Sequence, residues 1–347
     1  MSAAHNNTIN NKVNAGRVFL NILYISKIIL DVLNMDYSKI ILIIVFSLIS
    51  KYIYSSYKDS EDIFESHEHY KYVSEYFIGD KMSKHKPILW IFSPPEINAR
   101  NWESFYSRNT VKVNQPYLQI TMKSIYDKCK DSFNVCLIND DTFESLLNWN
   151  VRIHDLPQPT KDHYRQLGLS MILYHYGGFI VPPSLLCIRN LYDLYKSSLE
   201  DKGMFVLEGV NHGITHDQLV YFPNIRMMGS KKKNTTIQEL VEYQEYLFLD
   251  KTAQSDFIDN VNLWCNRNAT IVDGKYIGIK KITGQPVTVD ELLGTTPIEY
   301  PDASLYGIYI PQDEVLKRSK YNWFARMSTD QILKSQLMIA QYMIASY

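Results

Sequence analysis

Apolar and polar positions divide the chain into three stretches. Residues 40–49, IILIIVFSLI, form the most apolar run. With its flanks, over residues 38–57, it approaches the ~20 residues that a bilayer-spanning helix requires. Tyr37, Tyr52, Tyr54 and Tyr57 stand where interfacial aromatics belong, and Lys51 implies a short or snorkelling span. Two readings stay open: a single-pass anchor, or a hydrophobic helix docked on the domain or a partner. An earlier apolar stretch, residues 18–33, carries Asn21, Lys27 and Asp31 and reads as an amphipathic surface helix. No small-residue cleavage site of the signal-peptide kind is present. We therefore expect a hydrophobic membrane-anchor region over residues 1–58, a polar stem over 59–86 and one globular domain over 87–347. The stem carries His67, Glu68 and His69, whose side chains diverge on a helix and so read as solvated rather than metal-binding.

From residue 87 the pattern alternates between strand and helix. Ile88 to Phe92 is a short buried strand stopped by Ser93-Pro94-Pro95. Residues 115–130 have helical apolar spacing at Leu118, Met122, Ile125 and Tyr126. Phe133 to Ile138 is a second strand, closed by Asn139-Asp140-Asp141, and Thr142 to Leu147 a short helix. A helix over 160–176 and a strand over 179–181 follow. Further on we expect a helix at 191–199, a strand at 204–207, a hairpin or turned strand over 221–229, a helix at 236–249, a strand at 306–310 and a terminal helix over 330–345. This alternation predicts an α/β sheet.

Composition narrows the classes. The 347 residues are 46% hydrophobic with a net charge of −1, so a substantial core is possible and no electrostatic footprint for nucleic acid exists. Four scattered cysteines, Cys129, Cys136, Cys187 and Cys265, form no CxxC pair and read as reduced and buried. Frequent Tyr, Asn, Ile and Lys match the usage of AT-rich genomes such as those of some giant DNA viruses. No G-x-S-x-G, P-loop, H-E-x-x-H or G-x-G-x-x-G motif occurs, which removes the usual support for hydrolase, NTPase, zinc-protease and dinucleotide-binding readings.

The most informative segment runs from Asp162 to Cys187, DHYRQLGLSMILYHYGGFIVPPSLLC. It joins a charged DxxR step (Asp162, Arg165) to an apolar helix, a Gly177-Gly178 break, a short strand and Pro182-Pro183-Ser184. It resembles the core motif of sugar-nucleotide glycosyltransferases of the capsular polysaccharide and DxD-containing type, DxxRxxxLxxYGGxYxDxD. The resemblance implies a GT-A-like α/β domain and a nucleoside diphosphate sugar donor with a glycan or glycoprotein acceptor. It implies nucleotide-sugar contacts from Trp90, Asp162, Arg165, Gly177, Gly178 and Ser184. The Thr283-Gly284-Gln285 step resembles the TGP-like element late in such domains.

The resemblance also implies a divalent cation held by the two aspartates, and here it breaks. Pro182 and Ser184 occupy those positions; proline offers no ligand and a neutral hydroxyl is a poor one for Mg²⁺ or Mn²⁺. No cofactor is expected unless Mn²⁺ or Mg²⁺ finds another site. Two functions stay open: a glycosyltransferase whose leaving group is stabilised by backbone and basic groups, or an inactive binding and assembly component of a viral particle or membrane complex. Several residues have two readings. Asp162 and Arg165 either orient the nucleotide or pair locally at i and i+3. The glycines either approach a ligand or end a helix. Glu208, His212 and His216 are the speculative catalytic or ligand cluster. Asp140-Asp141 reads as an acidic turn that could reach a cleft, and Lys231 to Lys233 as a solvated turn that could meet a diphosphate.

Overall fold

The computed structural model describes residues 67–94, 115–210, 220–249, 256–301 and 304–346. The expected anchor over residues 38–57 lies outside them. Among the described residues no helix is long and apolar enough to cross a membrane.

A short helix, α1 (His67–Ser74), leads into residues 76–78, where Phe77 bridges Cys136. Ile78 donates to the Val135 carbonyl at 2.8 Å, and Leu137 to that of Tyr76 at 2.9 Å. The segment read as a polar stem thus covers the edge of the main sheet, where bare backbone would otherwise invite association.

Three parallel strands follow: β1 (Ile88–Phe92), β2 (Asn134–Ile138) and β3 (Gly178–Val181). Parallel pairing requires long crossovers. The first is α2 (Pro116–Cys129); the second contains α3 (Thr142–Leu147) and α4 (Thr160–Tyr176). Beyond β3 the chain forms β4 (Leu185–Cys187), α5 (Tyr192–Ser198), β5 (Met204–Val210) and β6 (Tyr221–Ser230). Then come α6 (Thr235–Leu249), α7 (Phe257–Asn268) and β7 (Thr270–Val272). The six-stranded sheet has the order β2-β1-β3-β6-β5-β7. β6 is antiparallel to both β3 and β5, and β7 is parallel to β5.

The period of two along each strand builds two cores. Ile88 and Trp90 of β1, Ile180 of β3 and Met204 and Val206 of β5 join the cluster that includes α4, α6 and α7. Leu89 and Ile91, Phe179 and Val181, and Phe205 and Leu207 join the opposite one, with α2 and α5. A third cluster lies beside the sheet. It is built on α2 and β4 by α8 (Val289–Leu292), β8 (Gly307–Tyr309), α9 (Gln312–Lys317), α10 (Asn322–Arg326), α11 (Thr329–Leu333) and α12 (Met338–Ser346). β4 and β8 pair as a separate two-stranded sheet.

The α4–β3 junction requires its glycines. Gly177 has φ 69° and Gly178 φ 104°. A Cβ on Gly178 would stand 2.2 Å from the Ile88 carbonyl oxygen, so β3 can lie this close to β1 only without a side chain there. Trp90 completes the joint, its Nε1 donating to the Gly177 carbonyl at 2.9 Å.

Some elements differ from the sequence pattern. β6 is one ten-residue strand, bulged rather than turned: Val206 pairs with Met228 but Leu207 with Asn224. The terminal helix is two, α11 and α12, with Ser328 and Gln331 forming a capping box at the first. α7 and β7 were not anticipated. All four cysteines are free and buried, as the lack of CxxC pairs implied.

Candidate functional site

A cleft of about 960 Å³ opens at the carboxyl ends of β1 and β3. Parallel α/β sheets bind ligands at this edge, because the strands end there in loops that can carry varied side chains. One wall comes from Phe92, from Val181 to Ser184, and from Asp162, Arg165 and Gln166 at the start of α4. The Thr283-Gly284-Gln285 turn leads into Pro286 to Asp290, which line the cleft together with Tyr309 and Pro311 to Asp313.

Arg165 is fixed on its inner side. Its Nε and Nη2 donate to Asp140 Oδ1 and Oδ2 at 2.8 and 2.6 Å. Its Nη1 reaches Asp162 Oδ1 at 3.1 Å. The Arg165 and Asp140 side chains are 9% and 3% exposed, whereas Asp162 is 46% exposed. The local i, i+3 pair of the sequence reading is therefore present, but the stronger partner is Asp140, just beyond β2. This two-pronged bond ties the end of β2 to the start of α4. Arg165 and Asp162 both line the cleft.

The Pro182-Pro183-Ser184 turn is tied from three sides. Pro182 accepts from the Leu185 amide at 3.2 Å and Ser184 from that of Ile310 at 3.2 Å. Pro183 accepts from the Thr121 hydroxyl at 2.5 Å. Ser184 lines the cleft but is buried, and its hydroxyl has no hydrogen-bond partner. Asn262 Oδ1, on the same cleft, is also unpartnered. The residues here do not fit the cation that the motif resemblance implies. Proline and a buried hydroxyl replace the carboxylates, and among the described residues no three His, Cys, Asp or Glu side chains gather as a metal site.

Other expected site residues lie elsewhere. Trp90 is fully buried and, with Gly177 and Gly178, lies outside the cleft lining; the glycines open β3 at the far end from Val181. The Trp90 N–H is spent on Gly177 and the two glycines on close strand approach, so all three pack the sheet. Ser184 keeps its place at the cleft. Lys231 to Lys233 turn at the Gly177 end and do not line the cleft. Glu208 is engaged as well: its carboxylate accepts from the Gly274 amide at 2.9 Å and pairs with Lys280 at 2.5 Å. Burial alone would lower the Lys280 pKa, but Glu208 and Asp273 outweigh it and hold it above its ordinary value. His212 and His216 lie outside the described residues.

Sequence reasoning missed Arg226 and Asp313. The β6 bulge leaves Ile225, Arg226 and Met227 without partners on β5. Ile225 and Met227 turn into the core, and Arg226 turns toward the cleft. Its Nη1 donates to Asp313 Oδ2, also in the cleft lining. Burial alone would raise the Asp313 carboxyl; Arg226, with Lys317 behind it, outweighs burial and holds it below the usual carboxylate range. A bulge leaves no local sequence signal, and Asp313 sits in an ordinary amphipathic turn.

No family model and no curated protein matches the sequence. Among solved structures, a galactosyltransferase, LgtC, in complex with donor and acceptor sugar analogues overlays with TM-score 0.31 at 11% identity, covering 55% of this chain and 74% of that one. An active-site mutant of LgtC gives TM-score 0.32 at 10% identity with the same coverage. The PaToxG glycosyltransferase gives TM-score 0.31 at 14% identity, covering 85% of this chain and 97% of that one. These overlays are loose, so the reading of the site rests on the cleft itself.

Proposed function

We propose that the cleft binds a nucleoside diphosphate sugar and that the protein is a glycosyltransferase-like enzyme acting on a glycan or glycoprotein. One observation carries this reading: the DxxR start of α4, the Pro182-Pro183-Ser184 turn and the distant segments Pro286 to Asp290 and Pro311 to Asp313 meet around one large cleft at the carboxyl edge of the parallel strands. Sugar transfer breaks the bond between the anomeric carbon and the diphosphate oxygen. It forms one to an acceptor oxygen, which gives up its proton. The departing diphosphate gathers charge, so the cleft must supply donors or cations. The same proposal includes an anchor over residues 38–57, which would hold the cleft near a membrane-borne acceptor.

Calorimetric titration with uridine and guanosine diphosphate sugars, with Mn²⁺ and with chelator, tests the reading. Saturable binding of one donor, competed by its free nucleoside diphosphate, is expected; no binding in either condition would overturn it. The loss of both carboxylates at Pro182 and Ser184 favours a second reading, a domain that binds without turnover and serves assembly. Release of free sugar or transfer to acceptor by the donor-loaded protein separates the two.

A further inference from the structure

We infer that Arg226 supplies the positive charge that the motif resemblance assigns to a cation and forms the diphosphate subsite of this cleft; the inference rests on the nucleotide-sugar reading above. The last ladder pair between β3 and β6 is Ile180 with Met228. Pro182 and Arg226 each lie two residues beyond that pair, and both line the cleft. The bulge that frees Arg226 from β5 is what brings it there.

The other cleft cations serve less well. Arg165 already holds Asp140 with two bonds and Asp162 with a third. Lys317 and Arg318 are paired within their own helical turn to Asp313 and Glu314. Arg226, its side chain 55% exposed, is mounted on a strand between the buried Ile225 and Met227. Among the described residues its side chain has a single acceptor, Asp313, which leaves most of its five N–H groups for a ligand. A planar guanidinium can meet two phosphate oxygens at once, which suits a diphosphate better than a point charge does. The orphaned Ser184 hydroxyl, at the second vacated position, is a further donor in the lining of the same cleft. Asp313 is then the resident anion that a diphosphate displaces or shares.

The test is titration of the 347-residue chain with UDP, GDP, inorganic pyrophosphate and uridine, in chelator and in Mn²⁺. Wild type is expected to bind a nucleoside diphosphate in chelator, with little gain from Mn²⁺. Arg226→Gln should weaken that binding by about 10- to 100-fold, Arg226→Lys by less, and neither should alter uridine binding. Asp313→Asn, which removes the competing anion, should bind the diphosphate at least as tightly as wild type. Binding that requires Mn²⁺, or an Arg226→Gln affinity equal to wild type, overturns the inference and leaves the nucleotide-sugar reading standing. An Asp313→Asn loss equal to that of Arg226→Gln shows that the pair acts on the fold alone and also overturns it. Absence of nucleotide binding in both conditions defeats the nucleotide-sugar reading itself.

Discussion

Arg165 is held by two carboxylates of unequal exposure, and their substitutions separate burial from proximity. Asp140→Asn leaves a buried guanidinium without its counter-charge and should cost about 3–5 kcal/mol. Asp162→Asn removes a half-exposed partner and should cost about 1 kcal/mol or less. Urea midpoints of the two variants measure the contrast; equal losses would contradict the assignment of Asp140 as the main partner. Asp313 supplies a pH signature. Its folded-state pKa is depressed, so its contribution to stability is complete above the ordinary aspartate range and is lost as pH falls through the folded value. Stability measured between about pH 5 and pH 2 should therefore fall less steeply in Asp313→Asn than in wild type. Unchanged slopes would mean that the carboxylate gains nothing from Arg226.

Elements differ in how plainly their residues announce them. β1 and β3 were legible because unbroken apolar runs stop at Ser93-Pro94 and Pro182-Pro183. α4 was legible from its apolar spacing and its glycine stop. β6 was not, because Pro223-Asn224 and Arg226 break the alternation as a turn would, and only pairing with β5 distinguishes a bulge from a turn. The terminal pattern over 330–345 read as one helix although polar Lys334-Ser335-Gln336 interrupts it. At the site, the motif pointed to Asp162 and Arg165 but not to Asp140, whose value depends on a strand end 25 residues away meeting α4. Gly178 gives the element-scale test. Alanine there adds both a clash with the Ile88 carbonyl and a positive φ, so Gly178→Ala should lose at least about 2 kcal/mol, read from the thermal or urea midpoint. A loss near zero would show that β3 can stand off from β1 without penalty.

For the whole molecule, the sheet and its two faces form one body of packing, and the third cluster adds Val287, Val289 and Tyr321 to the lining of the cleft. The anchor proposal belongs at this scale. Removing residues 1–58 should shift the protein from membrane pellet to supernatant on fractionation, while donor binding is kept; persistence in the pellet would contradict an anchor at 38–57. The third cluster has a further consequence, set by the order of the chain. Tyr117 of α2 packs against Phe324 with ring centroids 5.1 Å apart, and α12 closes over α2 and β4. The apolar seat is thus synthesised some two hundred residues before its lid. During translation Tyr117, Leu118 and Ile120 must wait uncovered until α12 has been made, and any product stopped short of it is left with a sticky flank and half a pocket.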